Sequence, residues 1–326
     1  MNLPPEFIST IENVFGENGH AFLQALPDLI TEASARWGLT NVQPLPELSY
    51  NFVAFANRGN NKVVLKMGVP NGEMKSEMTA LRLFNGEGAC RLLDCDEEKY
   101  WILLERLNPG VMLSTLEDDE EATHIAAEVM KKIWRPLEPV TLSDSEGSLT
   151  QSTRLFGRDE RSLRVTYDSF IQLSDWFDGL KKLRSMFNGG TGPLNQKLVE
   201  RVERSVKDFF AENHIPVLMH GDFHHFNILS SERGWLVIDP KGVIGPAGYE
   251  VGPFMMNPWG GFSDGVNYRL KVQKRIDILH EHLGWERDRI LEWSLAHAVI
   301  SAWWGIEDNT GWDYSLQFAE MLASFK

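Results

Sequence analysis

The chain of 326 residues has only two cysteines, Cys90 and Cys95. Two thiols cannot build the disulfide framework of a small secreted scaffold, and they suit a reducing compartment. Their C-x4-C spacing has no second pair of ligands, which speaks against a structural zinc site. No uninterrupted apolar run approaches the roughly 18 residues of a membrane span. The first ten residues lack the basic start and apolar core of a secretory signal. The expected location is the cytoplasm, with no membrane partner. Positive charge is also scarce: 32 Lys and Arg stand against 46 Asp and Glu, a net charge of −14. That excludes a broad basic face for nucleic acid. An acidic surface favours cationic ligands, although acidity also serves solubility alone. Internal repeats are absent, and so is a G-x-G-x-x-G loop. What remains is 43% hydrophobic and 24% charged, ordinary for a globular chain long enough for two lobes.

The densest chemistry lies in Leu218–Leu229, L-M-H-G-D-F-H-H-F-N-I-L, followed by Leu236-Val237-Ile238-Asp239-Pro240. One apolar strand runs into a polar loop holding His220, Asp222 and Asn227; a second apolar run ends at Asp239. Phosphoryl transfer from Mg-ATP to a hydroxyl needs such a set. One carboxylate orients the hydroxyl and takes its proton, while an Asn five residues later and a second carboxylate hold Mg2+ on the phosphates. Asp-x4-Asn, a strand, then Asp is the order of a kinase catalytic loop and metal-binding strand. Two other readings stand beside this one. His-Gly-Asp is a common turn composition. His220, Asp222, His224 and His225 also offer the imidazole and carboxylate ligands of a Zn or Fe hydrolase. The remaining histidines show no paired ligand spacing except His280-x-His282, and residues two apart on a helix do not share a face.

Along the chain, Glu6 to Trp37 reads as helical with a break near Pro27. Leu48 to Ala56 and Lys62 to Met67 read as a hairpin across the turn formers at 57–61. Asn71 to Asn85 reads as a helix, with Asn71 as N-cap and Gly86 as the stop. Arg91 to Asp94 and Tyr100 to Leu107 supply two more strands. Asn108-Pro109-Gly110 marks a junction between lobes. Beyond it, Asp118 to Trp134, Tyr167 to Phe187, Leu194 to Ala211, Asn267 to His282, Glu286 to Ile306 and Trp312 to Ser324 read as helices. Glu138 to Arg164 is polar and reads as a surface loop or insertion. The expected fold class is α+β: a small β-sheet lobe with one helix over residues 1–107, including the leading segment 6–37, then a larger, mainly helical lobe over 108–326.

Strand alternation puts Lys66 on the face of Val64, opposite Val63, Leu65 and Met67. On the next helix, Met74, Glu77, Leu81 and Phe84 form one stripe. Two inward charges of opposite sign on adjacent elements suggest a Lys66–Glu77 pair, which in kinases aims the lysine at ATP phosphates. The bland alternative leaves both solvated, Lys66 by snorkelling. In place of a glycine-rich loop stands Ser49-Tyr50-Asn51-Phe52-Val53, where Ser49, Asn51 and backbone N–H groups are candidates to cap phosphates. Glu105 and Leu107 lie in the segment expected to face adenine, which is read there by backbone groups.

These residues resemble the aminoglycoside phosphotransferase superfamily of protein-kinase-like enzymes, and within it the streptomycin and hydroxyurea kinase branch. The resemblance rests on Val64-Leu65-Lys66, Glu77-x2-Ala80-Leu81, Leu103 to Gly110, His220 to Leu229, Ile238-Asp239-Pro240-Lys241-Gly242, Gly245-Pro246-x2-Tyr249-Glu250 and Met256-Asn257-Pro258. It implies a bilobal kinase-like fold with ATP in the cleft. Asp222 would be the base, Asn227 and Asp239 the Mg2+ ligands, Lys66 the phosphate contact and Glu77 its orienter, with His220 a buttress. Glu250 stands where the branch usually has Asp, in a position implied to support the catalytic loop. Pro240 restricts the backbone around Asp239, so a single orientation of Asp239 is expected. The implied partner is a small-molecule hydroxyl acceptor: an aminoglycoside such as streptomycin, hydroxyurea, or an amino alcohol or sugar. Asp264, Glu307, Asp308 and Asp313 are candidates to meet a cationic acceptor, and equally read as a solvated face. A non-catalytic nucleotide-binding module is a further alternative. The chain is expected to be a monomer or weak dimer.

Overall fold

The structure, a computed structural model, describes residues 3–139, 152–154, 164–166, 170–212 and 215–325. Helix α1 (Pro5–Trp37) precedes strands β1 (Leu39–Pro44), β2 (Phe52–Arg58) and β3 (Asn61–Met67), helix α2 (Gly72–Phe84), and strands β4 (Leu92–Asp96) and β5 (Trp101–Glu105). The five strands form an antiparallel sheet in the order β1-β2-β3-β5-β4. One face of it is apolar. Phe52, Ala54 and Ala56 of β2 and Val63, Leu65 and Met67 of β3 are buried against Phe7, Ile11, Phe22, Leu26 and Trp37 of α1. The other face presents Val53, Phe55, Val64 and Lys66 to a cleft, as strand alternation requires.

Several boundaries differ from the sequence expectation. The break in α1 is at Gly16 (φ 55°, ψ −128°), while Pro27 sits inside continuous helix. Gly16 takes a backbone conformation that is costly for any residue with a Cβ. Pro27 is exposed, so the carbonyl it frees one turn earlier is on the side that water reaches, and the helix tolerates it. Strand β1 was not expected; its interrupted alternation and register shift between Thr40 and Gln43 hide the period of two. Strand β2 begins only at Phe52, leaving 45–51 as a loop over the cleft. Asn71 caps α2 by accepting from the Met74 N–H at 2.9 Å, and α2 closes on a left-handed Asn85 rather than on Gly86.

Beyond the sheet come β6 (Pro109–Met112), α3 (Asp119–Ile133), β7 (Arg135–Pro136), β8 (Glu138–Pro139), β9 (Ser152–Arg154), β10 (Arg164–Thr166), β11 (Ile171–Gln172), α4 (Leu173–Phe177), α5 (Gly179–Met186) and α6 (Gln196–Ala211). Then follow β12 (Val217–Met219), β13 (Ile228–Ser231), β14 (Gly234–Val237), β15 (Val243–Gly245), α7 (Val251–Met256), α8 (Val266–Leu283), α9 (Arg287–Glu307) and α10 (Asp313–Ala323). The helix expected over Tyr167 to Phe187 is therefore a short strand and two helices; residues 167–169 lie outside the described ones. Of the polar segment Glu138 to Arg164, the described parts are β8, β9 and the first residue of β10, which form a three-stranded sheet with the rest of β10; its remainder lies outside the described residues.

Two small sheets carry the polar loop. Strand β12 lies in the order β11-β15-β12-β7, and the β13–β14 hairpin pairs with β6. Helix α9 is buried over most of its circumference, from Ile290 to Gly305, and forms the spine of the helical part. Trp293 stacks on Phe209 of α6 at 4.1 Å. Arg275 of α8, 1% exposed, ties three segments together. Its guanidinium pairs with Asp119 of α3, with Nε 2.9 Å from the carboxylate, and donates to the carbonyls of Phe254, Met255 and Asn257. A buried guanidinium is tolerated when its donors are met in this way. Arg275→Leu strands Asp119 and three carbonyls, so it is expected to destabilise by about 3–5 kcal/mol in urea unfolding; a change under about 1 kcal/mol would contradict this role.

Candidate functional site

The cleft face of the sheet and the β13–β14 hairpin enclose a cavity of about 340 Å³. Ser49, Asn51, Lys66, Glu77, Glu105, Leu107, Asn227 and Asp239 all line it. Residues separated by up to 190 positions in sequence thus meet at one site. At its closed end Lys66 and Glu77 are 5% and 4% exposed. Lys66 Nζ donates to both Glu77 carboxylate oxygens, at 2.7 and 2.6 Å, and also to Asp239 Oδ1. Burial alone would lower the Lys66 pKa, but the two carboxylates overcome it and the pKa rises. The ammonium is therefore permanent. Burial pushes the Glu77 carboxyl up, to about 7, against the pull of Lys66.

Asp239 follows β14 in a left-handed conformation, φ 58°. Such a conformation costs a non-glycine residue on the order of 1–3 kcal/mol and persists only where its surroundings impose it. Here they do. The Ile238 N–H donates to the Asn227 carbonyl at 2.9 Å and the Lys241 N–H to the His220 carbonyl at 2.8 Å, while Lys66 holds the carboxylate. The Asp239 side chain keeps 42% exposure. Burial raises its pKa, yet Lys66 and Lys241 bring it below the usual carboxylate range.

The loop from His220 to Asn227 is locked from within. His220 is fully buried. Its Nδ1 accepts from the Asp222 N–H at 3.1 Å, so its Nε2 carries the proton and donates to the Ile238 carbonyl at 2.8 Å. One neutral imidazole therefore ties the loop to the strand leading to Asp239. Burial pushes its pKa down to about 4. Gly221 has φ 86°, and a Cβ there would run into Val243 and Trp176, so the turn needs glycine. Beneath the loop, Glu250 accepts from the N–H groups of His220 and Gly221 at 2.7 and 2.9 Å. Its extra methylene relative to Asp thus still lets both oxygens reach the loop. Burial pushes the Glu250 carboxyl up to about 8, while the two N–H bonds favour its charged form.

Asp222 keeps 40% side-chain exposure, with His224 Nε2 at 3.5 Å. Burial raises its pKa, but His224, Lys241 and His220 take it well below the carboxylate range. It is ionised near neutrality. Asn227 donates its amide to the Asp222 carbonyl at 3.0 Å, which leaves its amide oxygen as the atom for a cation.

The four-residue His/Asp cluster does not assemble as metal ligands. Both nitrogens of His220 are engaged, and His225 stacks on Phe254 at 4.3 Å. Among the described residues no group of three His, Cys, Asp or Glu converges on one point. The Glu105 carboxylate accepts from the Arg91 N–H at 2.7 Å and pairs with Arg233, so only its backbone is left for a ligand in the cavity. Glu307 is exposed and pairs with Lys182 at 3.2 Å. Asp308 and Asp313 are exposed around the α9–α10 turn, and none of the three lines the cavity. The Asp264 side chain lies outside the described residues. Phe55, which shares the cleft face with Val53, also lines the cavity and carries no chemical signal in the sequence, and the guanidinium of Arg106, from the segment expected to face adenine, lies 3.5 Å over its ring.

A sheet lobe with a buried Lys–Glu pair, joined to a helical lobe bearing Asp-x4-Asn and a strand-end Asp, defines a phosphotransferase of kinase type. A sequence profile described as aminoglycoside/hydroxyurea antibiotic resistance kinase matches residues 36–162 and 150–309. The chain belongs to this family and is a small-molecule kinase. It is 28% identical to a streptomycin 6-kinase of Streptomyces glaucescens, over 95% of this chain and 92% of that protein. It is also 28% identical to a hydroxyurea phosphotransferase of Kitasatospora aureofaciens, over 95% of this chain and 82% of that one. Among solved structures, a choline/ethanolamine kinase family protein from Mesorhizobium loti superposes with a TM-score of 0.60 at 13% identity, covering 91% of this chain and 95% of that chain. An aminoglycoside phosphotransferase in a ternary complex with ADP and hygromycin B superposes with a TM-score of 0.55 at 14% identity, covering 90% and 96%.

The neutral state of His220 has a consequence in acid. Its pKa is depressed in the folded chain, so its stabilisation is present above the unfolded value near 6.5 and is lost as pH falls toward about 4. His220→Gln removes this titration. The stability gap between wild type and variant, from urea unfolding, should narrow by about 2 kcal/mol between pH 7 and pH 5. A gap that is constant or widens over that range would show that the imidazole is not held neutral.

Proposed function

We propose that the enzyme transfers the γ-phosphoryl group of Mg-ATP to a hydroxyl of an aminoglycoside-type acceptor such as streptomycin, or to hydroxyurea. The observation that carries this reading is the convergence of Lys66, Glu77, Asn227 and Asp239 on one cavity, with Asp222 on the same loop as Asn227. The streptomycin 6-kinase and hydroxyurea phosphotransferase relatives support this choice of acceptor. An amino alcohol or sugar acceptor is the second reading; the likeness to a choline/ethanolamine kinase family protein favours it. The residues 1–107 act as the nucleotide lobe and 108–326 as the catalytic and acceptor lobe. The chain works as a monomer or weak dimer in the cytoplasm, where ATP is supplied. Among the described residues no helix is long and apolar enough to cross a membrane.

In this reading Lys66 meets the phosphates and Glu77 keeps its ammonium aimed into the cleft. Ser49 and Asn51 cap the phosphates from the β1–β2 loop, and the backbone of Glu105 to Leu107 faces adenine. Asn227 Oδ1 and the Asp239 carboxylate are hard oxygen donors of the kind Mg2+ takes; bound there, the ion would neutralise phosphate charge. Asp222 accepts the proton of the acceptor hydroxyl. Its depressed pKa keeps it available as a base throughout the neutral range, and His220 and Glu250 hold its loop still. Glu307 and Asp308, exposed near the end of α9, are the carboxylates offered to a cationic acceptor.

The test is ADP release from Mg-ATP with streptomycin, hydroxyurea and choline as acceptors. Wild type should turn over with at least one, and Asp222→Asn should lose about 10²–10⁴-fold in kcat. An Asp222→Asn enzyme that retains full activity would remove Asp222 as the base.

A further inference from the structure

The Asp239-Pro240-Lys241-Gly242 turn carries one charged group that the reading above leaves unused. The Lys241 side chain is 26% exposed, and its Nζ lies 3.1 Å from Glu73 Oε2 at the start of α2. Its backbone is fixed beside the catalytic loop by the N–H bond to the His220 carbonyl at 2.8 Å. The next residue is fixed too, since buried Ser76 Oγ donates to the Gly242 carbonyl at 2.7 Å. The stem of Lys241 therefore leaves a rigid turn between the loop of Asp222 and the α2 helix. Its charge acts on Asp222, Asp239 and Glu77 alike, lowering the pKa of each.

Lys66 and Lys241 both act on this cluster of carboxylates, and they are held differently. Lys66 is buried and gripped by Glu77 and Asp239. Among the described residues Lys241 pairs with Glu73, whose side chain is 58% exposed. Solvent around Glu73 screens this pair and makes it weaker than the buried Lys66–Glu77 pair, so the Lys241 ammonium can exchange Glu73 for a stronger anion. Phosphoryl transfer brings such an anion. In the transition state, charge spreads over the three equatorial oxygens of the γ-phosphoryl group. Here that group would pass beside the Asp222 carboxylate, which is ionised and repels it, while the charge of Asp239 is already met by Lys66 and by the metal it would hold. A cation on the turn between the two is the group this passage calls for, and Lys241 is fixed there by its N–H bond to the His220 carbonyl.

We infer that Lys241 is a further catalytic residue, whose ammonium leaves Glu73 and binds the equatorial oxygens of the γ-phosphoryl group in flight. The inference rests on the phosphotransfer reading above. The bond from γ-phosphorus to the β-phosphate bridging oxygen breaks, and its electron pair leaves with ADP. A bond from the acceptor oxygen to γ-phosphorus forms, and the acceptor proton passes to Asp222. Lys241 stays protonated throughout and exchanges partners only.

The competing role for Lys241 is a latch that ties α2 to the catalytic turn through Glu73. The two roles separate in one experiment. ADP release is measured for wild type, Lys241→Gln, Lys241→Arg and Glu73→Gln with streptomycin, hydroxyurea and choline as acceptors. Binding of Mg-AMP-PNP is measured by calorimetry on the same proteins. Lys241→Gln should lower kcat about 10²–10³-fold, the usual loss when one preorganised transition-state donor is removed. Its nucleotide Kd should stay within about threefold of wild type, because the contact strengthens only in the transition state. Lys241→Arg should recover part of the loss, and Glu73→Gln should stay within about threefold of wild-type kcat. A Glu73→Gln enzyme as impaired as Lys241→Gln would establish the latch and overturn the inference. So would a Lys241→Gln enzyme with wild-type kcat, or one whose defect lies wholly in nucleotide affinity. Wild type that turns over no acceptor would overturn the phosphotransfer reading itself, and this inference with it.

Discussion

The ammonium of Lys66 joins three elements that otherwise have no covalent or local reason to stay in register. It comes from near the end of β3, donates to both carboxylate oxygens of Glu77 on α2, and meets Asp239 just past the end of β14. A buried charge of either sign would be expelled from this place if left alone. Together the three charges satisfy one another, and the cavity takes its shape around them. Removing one partner would leave an uncompensated buried ion, which is why such a cluster fixes geometry even where it adds little net stability.

The rest of the site is arranged so that this charged centre meets a still loop. The left-handed backbone of Asp239, the neutral His220 and the two bonds from Glu250 each remove a degree of freedom between residues 220 and 242. Ser76 ties α2 to the same turn. Phosphoryl transfer asks little covalent chemistry of the protein and relies on positioning and on charge placed in advance. A network whose donors and acceptors are engaged before substrate arrives suits that demand. It also gives a physical setting for the expected single orientation of Asp239, since rotation would break the contact with Lys66.

The sequence exposed those features that depend on local period. The inward placement of Lys66 and Glu77 follows from alternation on a strand and a three-four stripe on a helix, and both survive in the structure. The Asn71 cap is likewise local. The third partner of the lysine lies 173 residues away, and no spacing rule reaches that far. The Gly16 kink escaped notice because Pro27 was the stronger breaker on paper, yet its exposure makes it harmless. The β1 strand was hidden by an irregular register. Glu307, Asp308 and Asp313 show the limit on the acceptor side: exposed carboxylates around helix ends look the same in sequence whether they meet a cationic ligand or water. Lys241 stands in the Asp239-Pro240-Lys241-Gly242 motif, but its partner Glu73 lies 168 residues away, beyond the reach of any local pattern.

The central claim is that the nucleotide site is assembled before nucleotide binds, around Lys66. The most direct measurement is a pair of crystal structures, one free and one with Mg-AMP-PNP. The expected result is phosphates on Lys66, the metal between Asn227 and Asp239, and a backbone from 220 to 242 that superposes within the usual sub-ångström range of a preorganised site. Nucleotide bound away from Lys66, or an Asp239 that reverses its direction between the two structures, would contradict it.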